Sequence, residues 1–80
     1  MNDLLDQMRQ NPRGDWRIDD VKAVCAQNGI ACRAPKGGGS HYKVFFDRMP
    51  EILTIPSKRP IKPVYIRKLV AFIDAARAST

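Results

Sequence analysis

Residues 37–46 read Gly-Gly-Gly-Ser-His-Tyr-Lys-Val-Phe-Phe, a glycine triplet followed by a run in which side-chain character alternates. Successive side chains of a strand point to opposite faces of a sheet. The run therefore predicts a strand over His41–Phe46, entered from a loop over Pro35–Gly39. The two predicted faces carry Tyr42, Val44 and Phe46 on one side, and His41, Lys43 and Phe45 on the other. We expect the first face to pack and the second to stay open.

Helices and strands are predicted on both sides of this strand. A four-residue turn, Asp47–Pro50, follows it, and a basic, proline-containing loop, Ser57–Pro63, precedes the last helix. The predicted helices are Asn2 to Gln10, Trp16 to Asn28 and Pro63 to about Arg77, and the other predicted strands are Ile30–Ala34 and Glu51–Ile55. The order α-α-β-β-β-α predicts an α+β fold in which helices cover one face of a three-stranded antiparallel sheet. We expect one domain over residues 1–80, with a core over 16–77 and an N-terminal helical extension over 1–12.

Local signals mark the ends of the last two helices. Asp19 is a candidate N-cap for the second helix, and Gly29 suits the left-handed position that ends it. Pro63 suits the first turn of the last helix. Helical spacing predicts the buried faces of these two helices as Val21, Val24 and Cys25, then Ile66, Leu69, Val70 and Ile73.

The first helix has a narrow apolar edge formed by Leu4, Leu5 and Met8. Asn2 or Asp3 is its candidate cap. This edge packs either against the domain or on a partner, and the sequence leaves both open.

Positive charge is concentrated in the middle of the chain. The net charge is +6, but the stretch from Arg33 to Lys68 holds nine basic and two acidic residues, a net +7. Such asymmetry is typical of a surface that binds a polyanion. A charge that only keeps the protein in solution is the open alternative.

Two cysteines and one histidine limit the metal chemistry. Cys25 and Cys32 have no second pair, so their spacing excludes a zinc site, and scattered carboxylates exclude a two-metal nuclease. We predict no metal and no cofactor, and free thiols that pack as small hydrophobic groups, with a disulfide as the open alternative. No apolar run is long enough to span a bilayer and no secretory signal is recognised. We therefore expect a cytoplasmic protein with no membrane partner.

His41 is the only histidine, and it stands beside groups suited to binding phosphate. RNA carries its own nucleophile, the 2′-hydroxyl, so its cleavage needs proton transfer and cations but no metal. An imidazole titrates near neutrality and can act as the base or the acid. Lys36 and Lys43 are predicted to hold the phosphate, and the amides of Gly38 and Gly39 to bind a non-bridging oxygen. One imidazole serves both proton transfers poorly, so a slow nuclease is expected.

Plain structural interpretations of these residues stay open. His41 is equally compatible with a solvated strand end, and the glycines with a flexible hairpin. Ser40 is not expected to be a nucleophile, because no third group orients the pair. Phe45 is the candidate for base stacking, whereas Trp16 is expected to anchor the entry to the second helix.

The chain resembles the HicA family, the toxin half of a bacterial type II toxin–antitoxin pair, over about residues 16 to 73. The resemblance rests on a helix ending in Asn28-Gly29, on Gly39-Ser40-His41 opening a strand, on Leu53-Thr54-Ile55-Pro56 ending one, and on the basic loop before the last helix. Many relatives carry further histidines at the positions of Tyr42 and Ser57.

The resemblance implies a double-stranded-RNA-binding-domain-like fold and an mRNA interferase activity that depends on His41. It also implies a HicB-like antitoxin protein as partner, beside mRNA, and a homo-oligomer stays open. The residues expected to contact RNA are Lys36, Gly38, Gly39, Ser40, Lys43, Lys58, Arg59 and Lys62. A metal-independent endoribonuclease is thus the favoured function. The alternatives are a non-catalytic RNA-binding module on the same fold and a small protein-interaction domain.

Overall fold

The order of helices and strands is α-α-β-β-β-α in the computed structural model, which describes residues 3–79. The elements are α1 (Leu4–Gln10), α2 (Ile18–Gln27), β1 (Ala31–Arg33), β2 (His41–Phe45), β3 (Ile52–Pro56) and α3 (Pro63–Ala78), with one 3-10 turn at Lys36–Gly38. The α+β class and the three-stranded antiparallel sheet are therefore confirmed. No helix in the described range is both long and apolar enough to cross a membrane.

β2 is the central strand and runs antiparallel to both of its neighbours. Val44 pairs with Cys32 of β1 and with Leu53 of β3. Because side chains alternate, this register turns these three residues toward the helices and the residues beside them away. Val44 is fully buried and Lys43 is exposed, which confirms the predicted packed and open faces of β2.

The helices bury the packed face of the sheet in one core. α2 contacts β1, α3 contacts β3, and α1 contacts both α2 and α3. The buried residues are Leu5, Met8, Val21, Val24, Cys25, Ile30, Val44, Ile55, Ile61, Ile66, Leu69, Val70, Phe72, Ile73 and Ala76. Both predicted helix faces are confirmed, because every residue assigned to them belongs to this core.

The C-terminus of α2 follows its local signal. Gly29 adopts a φ of 69°, which glycine tolerates because it has no Cβ. The Ile30 amide then donates a hydrogen bond to the Cys25 carbonyl over 2.9 Å. This is the Schellman arrangement, which satisfies carbonyls that the helix leaves without partners. The predicted helix end is confirmed.

The N-terminus of α2 does not follow the prediction. The cap is Arg17 rather than Asp19, and Trp16 precedes the helix instead of beginning it. The Asp20 carboxylate accepts a hydrogen bond from the Arg17 amide over 2.9 Å. A carboxylate that reaches back from the third helical position accepts the hydrogen bond of the cap residue's amide, so an acidic residue at the cap itself is not needed.

Strand boundaries shift by one residue at several ends, whereas the start of α3 agrees with the sequence. β1 and β2 are shorter than predicted, and β3 both begins and ends one residue later. Pro63 is the first residue of α3, where its missing N–H costs nothing.

α1 packs against the domain, which decides between its two predicted positions. Asp3 caps it by accepting a hydrogen bond from the Asp6 amide over 2.9 Å, and the other candidate, Asn2, lies outside the described residues. Met8 has no exposed surface. Arg9 forms a bidentate ion pair with Asp74 of α3, with N–O distances of 2.6 and 2.8 Å.

The two cysteines are free thiols. Cys25 is buried in α2, and burial raises the pKa of its thiol to about 12. Cys32 on β1 is half-buried, and burial raises the pKa of its thiol as well. Thiols with raised pKa values carry little thiolate at neutral pH and so react slowly.

Met8→Ala tests whether α1 belongs to the core. The cavity left by the side chain is expected to lower the free energy of unfolding by about 2–5 kcal/mol, measured by urea denaturation. Gln10→Ala, at an exposed position of the same helix, is expected to change it by less than about 0.5 kcal/mol. Equal denaturation midpoints for Met8→Ala and the wild type would contradict the packing of α1.

Candidate functional site

The sheet face that points away from the helices is the open face of this domain. Its residues are Ala31, Arg33, His41, Lys43, Phe45, Ile52, Thr54 and Pro56. Two of these residues are cationic, one is the histidine and none is acidic, so the electrostatic potential over this face is positive. The face is also partly apolar, because Ile52 is 61% exposed.

Two rows of side chains cross the open face. In the polar row, Lys43 pairs with Arg33 on one side and with Thr54 on the other. In the apolar row, Phe45 pairs with Ile52. The Arg33 guanidinium lies 5.2 Å from the centre of the Phe45 ring, within cation–π range. Charge and a flat aromatic surface are thus presented together.

His41 begins β2 at one end of the open face. It is exposed and pairs with Pro56 of β3. Its Nδ1 lies 3.5 Å from Ser40 Oγ. Within residues 3–79, no carboxylate forms an ion pair with the imidazole. The ring is therefore accessible to a ligand and is not oriented by an acid.

Glycine shapes the loop between β1 and β2, residues 34–40. φ is 68° at Gly37 and 81° at Gly38, values that other residues adopt only with strain. Lys36 and these glycines form the 3-10 turn, and Gly39 follows it with an extended backbone. The turn is exposed at the end of the sheet that carries His41. Anion binding by the amides of Gly38 and Gly39 stays a prediction.

The basic loop, residues 57–62, reaches the same end of the sheet. The Ser57 amide donates a hydrogen bond to the Ser40 carbonyl over 2.7 Å, which extends the pairing of β2 and β3 by one residue. Lys58 and Lys62 are exposed in this loop. The structure thus brings together the glycine loop, the imidazole and two lysines that lie far apart in sequence.

Arg59 differs from the two lysines because its charge is already paired. Its Nε and Nη2 donate to the two carboxylate oxygens of Asp15 over 3.1 and 2.5 Å. Hydrogen bonding to Arg59 lowers the pKa of the Asp15 carboxyl. The Ile61 amide also donates to the Trp16 carbonyl over 2.8 Å, and the Trp16 indole N–H to the Asn11 carbonyl over 2.7 Å. The bonds of Arg59 and Ile61 fix the basic loop to the segment before α2, and the indole bond holds Trp16 within that segment, in agreement with its predicted role as an anchor.

A cleft of about 380 Å³ opens where β3, the basic loop and α3 meet. Its walls are Pro56, Lys58, Arg59, Pro60, Lys62, Pro63 and Tyr65. His41 is not part of this lining, but its cross-strand partner Pro56 is, so the cleft begins one strand away from His41.

Sequence reasoning missed three groups near these residues. Arg33 adjoins Lys43 only through the pairing of β1 with β2, and a three-residue strand alternates too briefly to predict its face. Thr54 lies beside Lys43 only through the pairing of β2 with β3. Tyr65 lies in the first turn of α3 and lines the cleft together with the end of β3 and the basic loop. In the sequence, the one feature that could have pointed to Tyr65 is its place three residues after Lys62, the cap of α3.

This arrangement can bind a phosphate chain and exchange a proton at one end of it. Lys43 and Arg33 provide cations along the open face, and Lys58 and Lys62 provide them at its end. His41 stands between these two groups. No protein-family model, curated protein or solved structure matches this chain.

Asp15→Asn tests the link between the basic loop and the segment before α2. Loss of the bidentate pair is expected to lower the hydrogen-exchange protection of the Ile61 amide severalfold. Asp19→Asn, an exposed acid of α2, is the matched control and is expected to leave this protection unchanged.

The same link predicts a pH dependence in the wild-type protein. A carboxyl whose pKa is lowered in the folded state holds its ion pair above its ordinary pKa of about 4 and loses it as the pH falls through the lowered value. The Ile61 amide signal in NMR spectra should therefore shift only below about pH 4. A shift centred above that value would contradict the ion pair.

Proposed function

We propose that this protein is a metal-independent endoribonuclease that binds mRNA on the open face and cleaves it with His41. One observation carries the proposal. The pairing of His41 with Pro56 sets an exposed imidazole between the cations of the sheet and the lysines of the basic loop.

Charge supports binding of a nucleic acid along this surface. The polar row supplies Arg33 and Lys43, the basic loop supplies Lys58 and Lys62, and the open face has no acidic residue. Each phosphate neutralised on a single strand releases counterions, so the slope of log affinity against log salt concentration is about −0.7 per contact. Phe45 beneath Arg33 supplies a ring on which an unpaired base can stack.

The proposed reaction uses the ribose as the nucleophile. The 2′-oxygen attacks the phosphorus and the bond from phosphorus to the 5′-oxygen breaks, leaving a 2′,3′-cyclic phosphate and a 5′-hydroxyl end. His41 takes the proton of the 2′-hydroxyl or delivers one to the departing 5′-oxygen, and water serves the other transfer. Lys43 stabilises the charge on the phosphate oxygens. A single imidazole gives on the order of 10²–10⁴-fold acceleration, so the enzyme is slow.

The resemblance to HicA proteins extends the proposal to a toxin held inactive by a HicB-like antitoxin. The α-β-β-β-α order that follows α1 is the order of the double-stranded-RNA-binding-domain-like fold, which supports this assignment. The site then lies in the cytoplasm, where mRNA is translated. An antitoxin that covers the open face would neutralise its cations with acidic side chains.

A non-catalytic RNA-binding module is the second candidate. The observation that favours it is the surroundings of His41, where the Ser40 hydroxyl at 3.5 Å is the one hydrogen-bonding neighbour found within residues 3–79. Catalytic histidines are commonly oriented by a third group, and this imidazole has none in the described chain.

His41→Ala separates the two candidates. With the wild-type protein in the presence of a chelator, we expect cleavage of a defined transcript and products that end in 2′,3′-cyclic phosphate. The variant should lose cleavage by at least about 100-fold while its RNA affinity changes less than about threefold, because the lysines and Arg33 that are proposed to bind the phosphates are unchanged. Cleavage by His41→Ala at the wild-type rate would exclude the enzymatic proposal.

A gain-of-function variant with a matched control sharpens this test by adding a second proton carrier. The Ser57 amide donates a hydrogen bond to the Ser40 carbonyl, and the Ser40 hydroxyl lies 3.5 Å from the His41 ring. An imidazole at position 57 would therefore lie near His41, and Ser57→His is expected to raise the cleavage rate about 10- to 100-fold. Tyr42→His is the matched control. Tyr42 belongs to the packed face and lies under the Lys22 ammonium, 5.7 Å from the ring centre, so an imidazole there should add nothing.

A further inference from the structure

We propose that the cleft beside the basic loop binds the base and phosphate of one nucleotide next to the cleaved linkage, and so sets a base preference. This inference rests on the proposed function, since it assigns the cleft to the RNA that His41 cleaves. The observation that supports the inference is the position of Pro56, which lines the cleft and also pairs with His41 across the sheet.

The lining of the cleft suits a nucleobase. Three proline rings and the ring of Tyr65 contribute flat or rigid apolar surfaces. The volume, about 380 Å³, lies within the range of small-molecule sites, which is about 300–1,000 Å³. Tyr65 is half-buried and packs against the core, so its ring is held in place before a ligand arrives. A preordered ring costs less entropy when a base stacks on it.

The charge of the cleft suits a phosphate at its rim. Lys58 and Lys62 line it and are exposed, and no residue of its lining is acidic. Asp15, which compensates Arg59, is not part of the lining. Two flexible ammonium groups beside a mainly apolar interior match a nucleotide, which joins a flat heterocycle to an anion.

The cleft begins close to His41, the residue proposed to cleave RNA. Residues paired across antiparallel strands have Cα atoms about 4.5–5.5 Å apart, so Pro56 lies within one side-chain length of His41. The Asp15–Arg59 pair and the Ile61–Trp16 hydrogen bond hold the basic loop, which forms part of the cleft wall. A base seated there would set which phosphate lies against the imidazole.

The first experiment measures nucleotide binding without any cleavage. The wild-type protein is titrated with AMP, GMP, CMP and UMP, and separately with ribose 5-phosphate, while amide signals are followed by NMR. We expect the nucleotides to shift the signals of Lys58, Lys62 and Tyr65, with one base binding most tightly. Ribose 5-phosphate, which lacks a base, should bind at least about tenfold more weakly than that nucleotide.

Variants of Tyr65 then test the contribution of its ring. Tyr65→Leu keeps an apolar side chain for the core but removes the flat ring, and should weaken nucleotide binding about 5- to 100-fold. Tyr65→Phe should stay within about twofold of the wild type. Val64→Ala is the matched control, because Val64 is exposed in the same helical turn and does not line the cleft. In cleavage assays on a transcript, Tyr65→Leu should flatten the base preference that the wild type shows beside the cut.

The outcomes separate this inference from the proposed function. Nucleotide binding in the cleft by a chain that does not cleave RNA would support the nucleotide site but overturn the proposed nuclease, and with it the base preference beside a cut. Cleavage by a chain whose Lys58, Lys62 and Tyr65 signals do not respond to nucleotides would overturn the inference alone. Equal binding of ribose 5-phosphate and nucleotides, or a Tyr65→Leu variant as tight as the wild type, would also overturn it.

Discussion

The pairing of Val44 with Leu53 across β2 and β3 sets which face of the sheet each neighbouring side chain occupies. A strand that slips by one residue turns every side chain to the opposite face. In the observed register Val44 enters the core and His41 and Lys43 face outward. The same register opposes His41 with Pro56, and thereby brings the basic loop to the imidazole. Burial of apolar residues therefore determines where the cations stand.

Much of this fold can be predicted from the sequence because its signals are local. The alternation after the glycine triplet predicts the two faces of β2, and Gly29 and Pro63 mark helix ends through their own backbone preferences. The prediction failed at the start of α2, where Asp19 resembles a cap. A carboxylate at the third helical position serves the cap residue equally well, and sequence alone does not choose between adjacent acids.

The site is less predictable, because its members meet through long-range pairing. The lysines of the basic loop were predicted to contact RNA, and the structure places this loop at the end of the sheet that carries His41. RNA contact by these lysines stays a prediction. Arg59 carries the same charge, yet its bidentate bond to Asp15 fixes the loop to the segment before α2. The residues next to Arg59 in sequence give no sign of this partner. Tyr65 and Arg33 were missed for the same reason. Tyr65 lines the cleft only together with the end of β3 and the basic loop. Arg33 adjoins Lys43 only through the pairing of β1 with β2.

If RNA binds to the open face of the sheet, the footprint of RNA on the protein must cover that face. A single-stranded RNA whose 2′-hydroxyls carry methyl groups lacks the attacking nucleophile, so it cannot be cleaved by this reaction and can be titrated into isotope-labelled protein. We expect NMR shifts at Arg33, His41 and Lys43 and in the basic loop, and RNA affinity that falls steeply with rising salt concentration. Shifts confined to the outer surfaces of α1 and α3, with the open face unchanged, would contradict it.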